Sequence, residues 1–191
     1  MSFVIDRLLH SDTFSRDLAT HKTSIDMSRI AMYGHSLGGA TAATAMRSDA
    51  RIKGGINMDG RVFSPVLEKG LDRPFILLGR PNHRAEDATW PRLFSKLTGP
   101  RFEMQVEKTM HGSFTDFPVL IDSLNLPEPY KSAAAEMIGA ASGKTMSKVV
   151  NSVVMGFSDY VFGKTKALPD VLKKGQTKVP ELTVLRSEGR H

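Results

Sequence analysis

Ser36 stands in Gly34-His35-Ser36-Leu37-Gly38, between a short apolar run and an alanine-rich segment. The spacing fits G-x-S-x-G, the turn that presents a serine at a strand-to-helix junction for attack on an acyl carbonyl. The turn is expected to strain the serine backbone and lift its Oγ clear of the sheet. It also aims the N–H of Leu37, at the start of the next helix, toward an anion forming on the substrate. The glycines two before and two after the serine are expected to let neighbouring chain segments approach without Cβ clashes.

A serine hydroxyl is a poor nucleophile until a base takes its proton, and the base needs an acid to fix its tautomer. In strand-turn-helix folds of this kind the chain order is serine, acid, histidine. Six histidines are available. His10 and His21 precede the serine in helical or loop text, His191 is terminal, and His83 sits in the polar loop Arg80-Pro81-Asn82-His83-Arg84. His35 adjoins the serine, but neighbouring side chains point apart, so it reads as a space-filling group. His111 directly follows a strand-like run, and the ends of strands are where open α/β sheets assemble their sites. Two carboxylates compete for the acid. Asp87 lies in the loop after the third strand, the more usual place, but has Arg84 and Glu86 beside it. Asp59 ends the second strand beside Gly60 with an apolar run behind it, and such a rigid acid orients a base better. Asp116 reads as the cap of the helix that follows His111.

These residues need a sheet to bring them together, and the chain alternates strand-like and helical runs. Ser2–Leu9 carries Phe3, Val4, Leu8 and Leu9 on a helical period. Arg29–Tyr33 is a short apolar strand, Leu37–Met46 a helix suited to close packing, and Ile52–Met58 a second strand. Phe75–Leu78 is continuously apolar, as in a strand buried on both faces. Trp90–Leu97 reads as a helix with Pro91 in its first turn. Phe102–Glu107 alternates and reads as a fourth strand. Together they predict an open, mostly parallel α/β sheet with flanking helices. Residues 133–162 have helical spacing that Gly139 and Gly143 are placed to interrupt, and 163–191 looks extended and polar. The expected organisation is a catalytic core over residues 1–130, with a C-terminal helix and extended tail over 131–191 belonging to the same domain.

The composition narrows the chemistry. The 191 residues suit one domain with a sizeable core. The absence of cysteine excludes disulfides and thiolate metal sites and does not choose a compartment. The opening MSFVIDRLLHSD does not read as a secretory leader, because Asp6 and Arg7 interrupt a short apolar run. No stretch approaches the roughly 18 apolar residues of a membrane span. The net charge is +6, much of it after Lys144, which reads as a solvated basic face. With no zinc-finger pattern and no aromatic and basic interleaving, nucleic acid is not an expected partner.

The blocks GHSLGGATA, GGINMDGRVFSP, RPFILLGR and HGSFTDFP resemble the platelet-activating-factor acetylhydrolase family of the plasma type, especially its fungal and bacterial relatives. The resemblance spans about residues 1–125, and weakly the tail, where GFSDYVFG is similar to the family's closing helix. It implies the α/β-hydrolase fold, a serine esterase and no metal or cofactor. Carried over, Ser36 matches the nucleophile, Asp59 the acid, His111 the base and Leu37 one oxyanion donor. The implied substrates are short or oxidised acyl esters of phospholipids, with polyesters as substrates of close neighbours.

One departure from that family is large. Only 35 residues precede Ser36, where the family has several strands and helices. The resemblance therefore implies that the front half of the sheet is absent, with the loop that donates the second oxyanion N–H. The serine strand would then be an exposed edge that invites self-association or a partner chain. Two functions follow as expectations: a serine ester hydrolase working through an acyl-enzyme, or a catalytically impaired remnant serving as a binding or assembly module.

Overall fold

The computed structural model describes residues 2–124, 126–174 and 178–189. Two short helices open the chain, α1 (Ser2–His10) and α2 (Asp12–Thr20). There follow β1 (Ile30–His35), α3 (Leu37–Ser48), β2 (Ile52–Met58), α4 (Val66–Lys69) and β3 (Phe75–Gly79). Then come α5 (His83–Glu86), α6 (Thr89–Phe94) and β4 (Arg101–Val106). The last part holds α7 (Phe117–Leu124), α8 (Glu128–Ile138), α9 (Gly143–Val161) and β5 (Leu182–Glu188). The strands form one sheet in the order β1-β2-β3-β4-β5. The first four run parallel and β5 lies antiparallel to β4.

The side-chain alternation of the strands builds a core on each face. Ile76 and Leu78 point into a cluster with Phe102, Met104, Val149, Val153 and Phe157, so α9 covers that face. Phe75 and Leu77 point the other way, into a cluster with Met46 of α3 and Trp90 and Leu93 of α6. All five residues of β3 are buried, as the continuous apolar run implies for a strand covered on both sides. The helical text after residue 127 breaks at Gly139, whose φ of 71° closes α8 with a left-handed turn. No helix among the described residues is long and apolar enough to cross a membrane.

The structure departs from the sequence reading in places. The helices α2, α4 and α5 are absent from that reading, and 163–191, read as an extended polar tail, contributes a strand to the sheet. Leu182 and Val184 of β5 are buried against the α9-side core, together with Leu172 and Val179. The opposite face of the same strand carries Arg186, whose guanidinium lies over the ring of Phe94 in α6 and whose Nε donates to the buried Glu103 of β4 at 2.8 Å. His191 lies outside the described residues, as does the side chain of Leu9. At the opposite margin β1 pairs only with β2 among the described strands, so its outer edge is open, and Tyr33 in its middle is exposed.

Candidate active site

Parallel strands end on the same side of a sheet, and that side gathers the candidate residues. Ser36 follows β1 directly, with φ 55° and ψ −121°, a conformation few non-glycine residues adopt. Its N–H donates to Met58 O at 2.9 Å, which ties the turn to the end of β2. The next residue, Leu37, opens α3. Its N–H belongs to the first turn of a helix, whose donors have no intrahelical acceptor.

The glycines that flank Ser36 are not equivalent. A Cβ on Gly34 would lie 2.5 Å from the carbonyl carbon of Gly38, whereas a Cβ on Gly38 would meet nothing within 4 Å. The close approach expected of both glycines thus needs only the first to lack a side chain, because Gly38 presents its backbone to Gly34 and its own Cβ direction to open space. Gly34→Ala is expected to lower stability by about 1–3 kcal/mol through overpacking. Gly38→Ala, in a helix, is expected to be neutral or to stabilise by up to about 1 kcal/mol. Urea unfolding midpoints of the two variants test the contrast.

Asp59 directly follows β2, with φ 54° and a side chain that is fully buried. Its N–H donates to Leu78 O at 2.8 Å. The loop behind it is held by Asn57, which accepts from Gly60 N–H at 2.9 Å and donates to Gly60 O at 2.8 Å. Trp90 Nε1–H also donates to Gly60 O, at 2.9 Å. His111 begins a single 3₁₀ turn, His111–Phe114, after β4. Its loop is braced from the C-terminal part of the chain. Lys108 O accepts from Ala140 N–H at 2.8 Å, and Ser113 Oγ donates to Ile138 O while accepting from Met110 N–H.

The three side chains meet. His111 Nε2 lies 3.1 Å from Ser36 Oγ, and His111 Nδ1 lies 2.7 Å from Asp59 Oδ2. The other carboxylate oxygen, Oδ1, accepts from Arg80 N–H at 3.0 Å. Burial pushes the Asp59 carboxyl upward, but donors from His83, Arg80 N–H and His111 outweigh it and hold the pKa at about 2. Asp59 is therefore an anion throughout the neutral range. Asp87, the alternative acid, does not face His111. Its Oδ1 accepts from Thr89 N–H at 2.9 Å, and its Oδ2 lies 3.6 Å from His83 Nε2. At the start of α7 the accepting side chain is Thr115, whose Oγ1 takes Phe117 N–H at 3.2 Å.

His35 fills space, but in contact with the base. Its ring centre is 4.5 Å from that of His111 and 6.2 Å from that of Phe114. Burial lowers its pKa, and the neighbouring His111 lowers it further, so a neutral ring backs the base. The residue that sequence reasoning passed over is His83. Its polar neighbours suggested a solvated loop, yet its ring is buried, with Nδ1 2.7 Å from Asp59 Oδ1. Its place in the loop that follows the third strand is legible in the sequence, at the same sheet end as the other candidates, and the polar neighbours outweigh that signal.

Chemically, the arrangement offers a hydroxyl, an imidazole that can take its proton and a buried anion that holds the imidazole, with a helix N-terminus beside the hydroxyl. The model of the family described as platelet-activating factor acetylhydrolase, isoform II, matches residues 6–127. A probable 1-alkyl-2-acetylglycerophosphocholine esterase of Arthroderma benhamiae is 28% identical over 170 residues, which are 82% of this chain and 43% of that protein. A platelet-activating factor acetylhydrolase of Cavia porcellus is 30% identical over 107 residues, 53% of this chain and 24% of that protein. Among solved structures, a ferulic acid esterase from Streptomyces cinnamoneus superposes with a TM-score of 0.79 at 29% identity, covering 97% of this chain and 52% of that one. The chain spans less than half the length of the curated relatives it matches.

Proposed function

Because the chain belongs to the platelet-activating factor acetylhydrolase, isoform II, family and carries an α/β-hydrolase sheet, we propose that it is a serine carboxylic-ester hydrolase. The observation that carries this reading is the unbroken path from Ser36 Oγ through His111 to Asp59, with steps of 3.1 and 2.7 Å. Ser36 Oγ attacks the ester carbonyl while His111 Nε2 takes its proton. The carbonyl oxygen becomes an anion facing the N–H of Leu37 at the start of α3. Protonated His111, held by Asp59, returns the proton to the departing alcohol and leaves an acyl-enzyme on Ser36. Water, deprotonated by the same histidine, then releases the acid.

The proposed substrates are short-chain esters of the phospholipid or polyester type. One curated relative is named for a 1-alkyl-2-acetylglycerophosphocholine, the other for platelet-activating factor, and the solved neighbour for ferulic acid. A groove of about 290 Å³ runs from Leu37 along the outer side of α3 to Ser48, with Phe63 on its wall. Leu37, the residue after Ser36, stands at one end of it, and its Leu37, Ala40 and Phe63 walls suit a short acyl or aryl group. The test is reaction with a fluorophosphonate probe. One phosphonyl group on the peptide that carries Ser36, with hydrolysis of short p-nitrophenyl esters, is expected. A folded sample that the probe leaves unmodified overturns the reading.

The open edge of β1 favours a second reading, that this chain also assembles through its sheet. An unpaired parallel edge with exposed Tyr33 offers backbone N–H and C=O groups to another strand. Sedimentation velocity over a range of concentrations is expected to detect a dimer or larger species that Tyr33→Lys weakens. A wild-type chain that stays monomeric and active at every concentration removes this reading.

A further inference from the structure

Asp59 has two carboxylate oxygens, and only one of them serves His111. The other faces a group that the reaction described above does not use. His83 Nδ1 lies 2.7 Å from Asp59 Oδ1 but outside hydrogen-bond geometry, and both ring nitrogens are buried without a hydrogen-bond partner, so a small turn of the ring would bring Nδ1–H onto the carboxylate. The placement of His83 is built rather than incidental. Asn82, with φ 62°, turns the chain in a left-handed step just before it, which sends the ring inward. The ring is 7% exposed and packs on Trp90 with centres 4.0 Å apart. Trp90 in turn donates to the carbonyl of Gly60, the residue after Asp59, at 2.9 Å. One aromatic block therefore grips the acid from its side chain and from its backbone. Asp87 Oδ2 stands 3.6 Å behind the ring, near Nε2.

From this geometry we infer that His83 is a positioning residue for the proposed esterase. It carries its proton on Nδ1, offers it to Asp59 Oδ1, and so holds the carboxylate plane with Oδ2 aimed at His111. The inference rests on the Ser36–His111–Asp59 reading and extends it to a group two contacts removed from the substrate. Without His83 the carboxylate would keep the Arg80 N–H on Oδ1 at 3.0 Å and the longer contact of Arg80 Nε with Oδ2 at 3.4 Å, a looser hold that leaves it freer to turn about its Cβ–Cγ bond. The hydrogen bond to His111 would then lengthen or tilt, and misplacements on the scale of 1 Å cost rate rather than binding. His83 also packs against Trp90, so a purely structural role is the competing explanation.

The two roles separate by substitution. His83→Phe keeps a ring on Trp90 and removes the N–H. His83→Asn places an amide N–H near the position of Nδ1 and removes the ring. The positioning role predicts that the phenylalanine variant loses about 10- to 100-fold in kcat with KM little changed. The asparagine variant should return to within about threefold of wild type. A phenylalanine variant with wild-type kcat, or an asparagine variant no better than it, overturns the inference. A measurement on the unmodified protein backs these up whatever the variants' folding. Imidazole ¹⁵N shifts should report His83 protonated at Nδ1, and a bare Nδ1 facing Asp59 overturns the proposal. This measurement needs no turnover, so a wild type that the fluorophosphonate probe leaves untouched would sink the esterase reading while the tautomer still decides the role of His83.

Discussion

Ser36→Ala is expected to reduce hydrolysis of p-nitrophenyl acetate to the background rate. The loss of a serine nucleophile lowers kcat by about 10⁶-fold where the rest of the machinery is complete. At least about 10⁴-fold is expected here, where Leu37 N–H is the single oxyanion donor assigned and a missing donor lowers the starting rate. The substitution should leave the fold alone. Ser36 adopts its left-handed conformation at the end of β1 because the turn into α3 demands it, and its N–H bond to Met58 O does not involve the side chain. Alanine loses only the contact of Oγ with His111 Nε2. The thermal midpoint should therefore stay within a few degrees while turnover and probe labelling vanish. His111→Ala should match it, and the double variant should be no slower than either single one, because groups that act on one proton transfer do not contribute additively. A Ser36→Ala protein that keeps a tenth of the wild-type rate would remove the serine from the reaction.

The legibility of this chain follows how local each signal is. Phe75–Leu78 declares a doubly covered strand in four residues, because burial on both faces demands an unbroken apolar run, and the strand itself adds only Gly79. The turn at Ser36 is equally local, since a tight strand-to-helix junction needs its first glycine wherever it occurs. His111 and Asp59 were reached by chain order and strand ends, which the parallel topology turns into proximity. What escaped is non-local. Leu182 and Val184 alternate over too few positions to stand out from a lysine-rich tail. Their partner β4 lies some 80 residues earlier, so the strand is defined by what it pairs with. His83 was hidden by its neighbours: Arg80, Asn82 and Arg84 describe the solvent side of a loop, while one left-handed residue sends the histidine inward. No composition rule sees a turn whose consequence is the direction of a single side chain. The same limit explains Gly38, a required glycine by its motif, whose Cβ direction meets open space.

Asp59→Asn separates the acid from its rival and carries the second large effect. An asparagine keeps the shape of Asp59 but can offer its amide N–H to His111, which favours the tautomer with the proton on Nε2, where it cannot accept from Ser36. In the best-studied triad the equivalent change costs about 10⁴-fold in kcat, and a loss of that order is expected here. Asp87→Asn should stay within about tenfold of wild type, because its carboxylate reaches Thr89 N–H and the far side of His83 rather than the base. Stability gives an independent check on the same residue. The folded pKa of Asp59, about 2, lies below the ordinary 3.8, so the unfolded chain binds the proton more readily. The resulting stabilisation is fully present above the unfolded value and fades as pH falls through the folded one. It amounts to about 2 kcal/mol at neutral pH. Urea midpoints of wild type should thus exceed those of Asp59→Asn at pH 7 and converge with them between about pH 4 and 2. If Asp87→Asn rather than Asp59→Asn abolishes turnover, or the two stability curves never converge, then the buried anion beside His111 is not the acid of this site.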